Sequence, residues 1–144
     1  MIPSFKYLPD YLSASELRKH FSDLLNFLDN NDNLNLDIAA ESLRDLADRQ
    51  WHTYELIDPE LAVRIERWIV KNWSLTSRKF VVRTLFVIGS LGLKESYELI
   101  KESRNQKMSM EIRDHIEKFI MQIEMDGNHI EDPYFSMKGG RKIL

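Results

Sequence analysis

A chain of 144 residues is enough for one domain, and at this size folding removes roughly two thirds of the unfolded surface from water, so one hydrophobic core suffices. With 43% hydrophobic and 30% charged residues, 5 Gly and 4 Pro, the composition excludes a disordered tract, a collagen-like chain and a Gly-rich sandwich. Zero Cys excludes disulfide scaffolds, thiol catalysis and Cys-ligated zinc, and the net charge of −3 is too small to mark a partner class by itself.

Apolar residues recur at helical spacing along most of the chain, and the interruptions carry helix start and stop chemistry, which predicts six helices. The first covers 14–28. Ser13 and Glu16 have capping-box spacing, and Leu17, Phe21, Leu24, Leu25 and Leu28 form one apolar stripe. Residues 30–35 make its exit loop. The second, over 36–50, presents Ala39, Leu43, Leu46, Ala47 and Gln50 on one side, and the aromatic segment Trp51, His52, Thr53, Tyr54 follows it. Asp58 is a good cap before Pro59 for a third helix ending near residue 73, in which Leu61, Ile65 and Ile69 carry Trp68 and Trp73 toward a core.

Over 77–91 too many side chains are apolar for a single buried stripe, among them Phe80, Val81, Leu85, Val87 and Ile88, so this helix is expected at the centre. Gly92 is placed to end it in a left-handed conformation. A shorter helix over 94–104 follows. Ser109 caps the last one, in which Ile112, Ile116, Phe119, Ile120 and Ile123 face inward before Gly127. Residues 128–144 hold Pro133, Gly139 and Gly140, show no period, and are expected to be loosely attached, with Tyr134 and Phe135 available to dock them. The expected organisation is a single all-α domain over 1–127 and an irregular tail over 128–144. Residues 1–10 lack a cationic stretch followed by an apolar run, and no segment approaches 18 uninterrupted apolar residues. The chain is therefore read as cytosolic, without a membrane partner.

The stretch Val82-Arg83-Thr84-Leu85-Phe86-Val87-Ile88-Gly89-Ser90-Leu91-Gly92, followed by Lys94-Glu95-Ser96-Tyr97-Glu98-Leu99-Ile100, resembles a HEAT-like repeat of the short phycocyanobilin-lyase type. That unit has a Val-Arg pair early in its first helix, a Leu-Gly pair later, a second Leu-Gly at the turn and an amphipathic second helix. Thirty residues on, Ile112-Arg113 answers Val82-Arg83, and the resemblance covers about 36–126, with 82–92 its specific part. It departs from the family at Leu75-Thr76, where an acidic residue and proline are common, and the last unit lacks the Leu-Gly pairs. The resemblance implies stacked helical hairpins, an α-solenoid fragment in which 36–50 partners the helix starting at Asp58; an irregular bundle of the same helices is the alternative. Independently of the family, Gly89 inside a helix costs about 1 kcal/mol relative to Ala, and close approach of a neighbouring helix is the usual compensation.

Catalytic and ligand-binding constellations are missing. His20, His52, His115 and His129 show no metal-ligand spacing, and the glycines form no phosphate loop, dinucleotide fingerprint or nucleophile elbow, so neither a metal nor a cofactor nor an enzymatic activity is expected. Asp29, Asn31, Asn33, Asn35 and Asp37 alternate as the early ligands of an EF-hand loop would. Leu34 stands where the sharp turn needs Gly, however, and Ala40 where a bidentate Glu should close the site.

Charge is unevenly placed. Over 21–48 seven acids face the single base Arg44, whereas over 64–83 the bases Arg64, Arg67, Lys71, Arg78, Lys79 and Arg83 face only Glu66. Asp37, Glu41, Asp45 and Asp48 lie at i, i+4, i+8 and i+11, one ribbon on one helix face, where like charges oppose each other by about 0.2–0.5 kcal/mol per i,i+4 pair. Two readings of the ribbon stand. It is a solvated face neutralised in part by Arg64, Arg67 and Lys71 on the next helix, or it is an anionic docking surface, edged by Trp51 and Tyr54, that steers a basic partner. Small, acidic, Cys-free helical domains of this kind look like bacterial immunity proteins, which cover the active surface of a cognate toxin. That resemblance implies a non-enzymatic, monomeric binding module with a basic toxin domain, plausibly a nuclease, as partner. The alternative is a helical-repeat protein binding nucleic acid through the basic 64–83 segment, with Trp68 or Trp73 stacking on a base.

Overall fold

The computed structural model describes residues 1–134. It contains α1 (Ala14–Asp29), α2 (Leu36–Trp51), α3 (Pro59–Asn72), α4 (Arg78–Leu91), α5 (Lys94–Glu102) with a 3-10 turn at Ser103–Asn105, and α6 (Met110–Met125). The domain is all-α, with no strand among the described residues, and none of its helices there is long and apolar enough to cross a membrane.

Local chemistry sets the helix ends. The Ser13 hydroxyl accepts from the Glu16 amide while the Glu16 carboxylate accepts from the Ser13 amide and hydroxyl, and these last two hydrogen bonds hold the Glu16 carboxyl below its ordinary range. Asn35, Asp58, Ser77 and Ser109 accept from amides in the first turns of α2, α3, α4 and α6. Gly92 ends α4 at φ 70, and a side chain there would meet the Ile130 carbonyl at 2.8 Å, so both backbone and packing demand glycine. The fifth helix stops short of residue 104, because the Ser103 hydroxyl donates to the Ile100 carbonyl at 2.7 Å and the chain tightens into the 3-10 turn.

The helices fall into two groups by what they touch. α1, α3 and α5 are neighbours in turn, as are α2, α4 and α6, and α1 with α2 and α4 with α5 join the groups. α1 and α3 run side by side in the same direction, as do α2, α4 and α6. Arg18 near the start of α1 lies 3.6 Å from Asp58 at the start of α3, while Arg64 farther along α3 meets Asp29 at the end of α1. In the other group Asp37 faces Ser77, Arg44 lies over Phe86, Arg78 pairs with Glu111, and Gly89 faces Phe119. The main neighbours of α2 are thus α4 and α1, not α3 as the 36–50 pairing implied, because its apolar side chains Leu43, Leu46 and Ala47 belong to the same core as Val81, Leu85 and Ile88 of α4.

One core runs between the groups, from Phe21 and Leu24 of α1 through Ile65 of α3 and Ile88 of α4 to Ile116 of α6, all essentially removed from water. Each such side chain contributes about 1.5–3 kcal/mol by its burial. Trp68 is buried and Trp73 partly so, both packed on Phe80 at centroid distances of 6.2 and 6.1 Å, which places them in the core as expected.

Segments outside the helices complete the body. Residues before α1 lie along α2, with Phe5 buried in the core and Ile2, Leu8 and Leu12 packed against it. After α6, Gly127 turns the chain at φ 90, and Ile130 and Tyr134 are both buried, so residues 128–134 are docked, with Tyr134 as one of the anchors. Phe135, Gly139 and Gly140 lie outside the described residues.

Candidate functional site

The acidic ribbon of α2 is not one open face. At its start, an Asp37 carboxylate oxygen accepts from the Ser77 hydroxyl at 2.6 Å and the Asp37 carbonyl accepts from Arg83 at 2.8 Å. Glu41 pairs with Lys6 at 2.5 Å and stands 4.0 Å from Arg83; the hydrogen bond from Lys6 is the main reason its carboxyl titrates below the ordinary range. Asp45 is only 13% exposed, one of its oxygens is buried without a hydrogen-bond partner, and its nearest cation is Arg44 at 3.8 Å. Burial, followed by repulsion from Glu41, pushes the Asp45 carboxyl up. Asp48 alone remains open to solvent, 3.9 Å from the His52 ring nitrogen Nδ1.

The covering element is the segment before α1. The Ser42 hydroxyl donates to the Pro3 carbonyl at 2.5 Å, and the buried Arg49 guanidinium donates to the Pro9 and Leu8 carbonyls, both at 2.8 Å, as well as to the Asp45 carbonyl of its own helix. Neutralisation therefore comes from Lys6 and Arg83, not from α3. Arg64 is spent on Asp29 and Asn26, and Lys71 lies nearest Asp32 at 3.8 Å. Four of the five alternating Asp and Asn residues are likewise used within the fold: Asp29 by Arg64, Asn31 by the Phe27 carbonyl, Asn35 as cap and Asp37 by Ser77. Among the described residues no group of His, Asp or Glu is arranged to hold a metal ion.

Toward the C-terminal end of α2 the surface opens and becomes aromatic. Trp51 is half-buried, and Tyr54 is 61% exposed in a left-handed backbone conformation at φ 59. Their ring centroids lie 6.3 Å apart, and Tyr134 joins both at 5.8 and 5.7 Å. His52 stacks edge-on to Trp51 at 5.3 Å and to the exposed Tyr11 at 5.5 Å. The turn is fixed from within. Gln50 donates to the Glu55 carbonyl at 2.9 Å, Thr53 to the Gln50 carbonyl at 2.7 Å, and the Tyr134 hydroxyl to the Trp51 carbonyl at 2.8 Å, satisfying helix-end carbonyls that would otherwise lack partners.

Of the six residues singled out from sequence, Asp48, Trp51 and Tyr54 come together on this open edge, whereas Asp37, Glu41 and Asp45 are engaged or covered. Sequence reasoning missed Tyr11, His52 and Tyr134 as members of the cluster. The adjacency of His52 to Trp51 was a usable signal, but Tyr11 and Tyr134 stand 40 or more positions away and leave none. Three residues of the basic segment turn in different directions: Arg64 to α1, Arg83 to α2 and Arg78 to Glu111 of α6. No family model, no curated protein and no solved structure matches the chain.

Proposed function

We propose that this chain is a non-enzymatic protein-binding module whose docking edge is Asp48, Trp51 and Tyr54, joined by Tyr134 and Tyr11. The observation that carries the reading is Tyr54, a large aromatic side chain held out in solvent on a strained backbone and flanked by two further rings. A left-handed non-glycine residue costs roughly 1–3 kcal/mol, and a ring that stays mostly in solvent recovers little of that by burial, although the turn itself is held by Gln50, Thr53 and Tyr134. Tyr and Trp in a preorganised cluster are the side chains that anchor interfaces, because they offer much contact area with little rotamer entropy to lose. Asp48 adds a carboxylate at the border, which favours a basic partner.

Two parallel groups of helices, each touching its next neighbour but one in the chain, are the order a HEAT-like stack would have, and the repeat-like stretch 82–92 supports that reading of the fold. Together with the acidic balance and the absence of Cys, it supports a role like that of bacterial immunity proteins, with a basic toxin domain as the partner. The scattering of Arg64, Arg78 and Arg83 over three directions weighs against a nucleic-acid surface.

Affinity capture from cells that encode the chain tests the reading. Wild-type chain should retain one basic protein, and Asp48→Lys with Tyr54→Ala should lose it while keeping the wild-type melting temperature. Equal retention by that variant, or no retained protein, would refute the reading.

A further inference from the structure

Beside the aromatic edge, α4 and α6 enclose an apolar-floored groove of about 500 Å³, with Val82, Phe86, Gly89, Phe119 and Ile123 along it and Trp51 at one end. Gly89 sets how closely the two helices pack. It brings the α4 backbone so near α6 that a Cβ there would stand 3.3 Å from the Phe119 ring. Between His115 and Ile123 α6 rises about 12 Å, two turns of helix, which matches three apolar side chains at i, i+4 and i+7 on a docked helix. The groove is open along its length, whereas small-ligand sites enclose most of their ligand.

Charge along the groove is polarised. The Trp51 end carries Asp48, three residues before Trp51 on α2, Asp126 beside Gly89 and Ile123, and the C-terminal ends of α2, α4 and α6, the negative ends of their dipoles. The opposite part carries His115 and Lys118 in the groove lining and Arg44 beside it, the last lying 5.1 Å above the Phe86 ring and 3.8 Å from Asp45. Lys118 also meets Asp114 at 3.0 Å, but both are well exposed, and such a pair is exchanged for another at little cost.

We infer that this groove receives an amphipathic helix of the partner protein, its apolar stripe on Val82, Phe86 and Phe119, its cationic end at Trp51 and its acidic end toward Lys118. This rests on the protein-binding reading and adds to it the secondary structure and charge order of the partner segment.

The test is selection from a displayed library of 16-residue helical peptides on the full chain, with affinities of the enriched peptides measured by fluorescence anisotropy. Enriched peptides should carry apolar residues at i, i+4 and i+7 with Lys or Arg at one end and Asp or Glu at the other. Gln122→Trp, which fills the groove from an exposed position, should weaken them about tenfold or more, and Lys118→Glu several-fold, the scale of a hot-spot loss. Both variants should keep the wild-type circular dichroism and melting temperature. No enrichment, enrichment without helical spacing, or affinity indifferent to Gln122→Trp would overturn the inference. A dimer in sedimentation that Gln122→Trp abolishes would give the groove to a second copy and overturn it too. Applied to the protein captured from cells, Gln122→Trp separates the two claims. If that protein is kept by Gln122→Trp and lost by Tyr54→Ala, the groove fails alone; if both variants keep it, the docking edge fails with it.

Discussion

The Arg49 guanidinium holds the Pro9 carbonyl at 2.8 Å, forty positions away in the chain, and through this bond and its companion to Leu8 the segment before α1 is fastened along α2. Arg49 is buried, so its charge depends on these carbonyls and that of Asp45 for solvation. Arg49→Ala removes three charge-assisted bonds and leaves the segment tied by Ser42, Lys6 and the packing of Phe5. A loss of about 2–3 kcal/mol in urea denaturation is expected, with faster amide exchange over residues 5–9. Arg49→Lys, lacking the planar fork, should recover only part of it. A denaturation midpoint unchanged by Arg49→Ala would show that the bonds contribute nothing net.

Asp45 should make the fold sensitive to pH in the sense opposite to Glu41. Its folded carboxyl titrates above the ordinary value, so the ionised form destabilises the native state at neutral pH, and the penalty is relieved as pH falls through the folded value. Glu41, held below its ordinary value by Lys6, contributes stability above the unfolded value and loses it as pH falls through the lower folded one. Asp45→Asn is thus expected to be more stable than wild type at pH 7, with the gap closing on acidification toward pH 4. Melting temperatures of the pair across that range decide it, and a gap that widens at low pH would be the wrong sign.

Tyr97 is a second buried group without a partner. Its ring is 2% exposed, edge-on to Phe119 at 6.0 Å and under the Lys101 ammonium, yet its hydroxyl has no hydrogen bond, and burial pushes its titration up. Tyr97→Phe deletes only the unsatisfied oxygen and should stabilise the fold by about 1 kcal/mol, a rise of a few degrees in melting temperature. A destabilisation of that size would mean the hydroxyl has a partner in solution.

Much of the fold was legible because its signals are local. The Ser13–Glu16 box, the Leu17 to Leu28 stripe, the all-round apolar character of α4 and the Gly92 stop act within a few residues of where they are written, and each appears in the structure. The order of helix neighbours was not, since apolar stripes say which face is buried and not against what. The acidic ribbon shows the same limit: spacing set Asp37, Glu41, Asp45 and Asp48 on one face, but the cover over Glu41 and Asp45 comes from residues 3–9, whose bonds to α2 are made by backbone carbonyls that no side-chain pattern reveals. Trp51 and Tyr54 were found because they follow a helix end directly, while Tyr134 reaches the same spot through its hydroxyl, which donates to the Trp51 and Glu55 carbonyls.

The most direct measurement is hydrogen–deuterium exchange on the full chain, free and bound to the protein captured from cells. Slowed exchange at residues 48–56 and 131–134 is expected on binding, with the outer α3 surface around Val63 and Val70 unchanged. Protection of the α3 surface instead, with 48–56 exchanging as in the free chain, would contradict the assignment of the aromatic edge as the docking site.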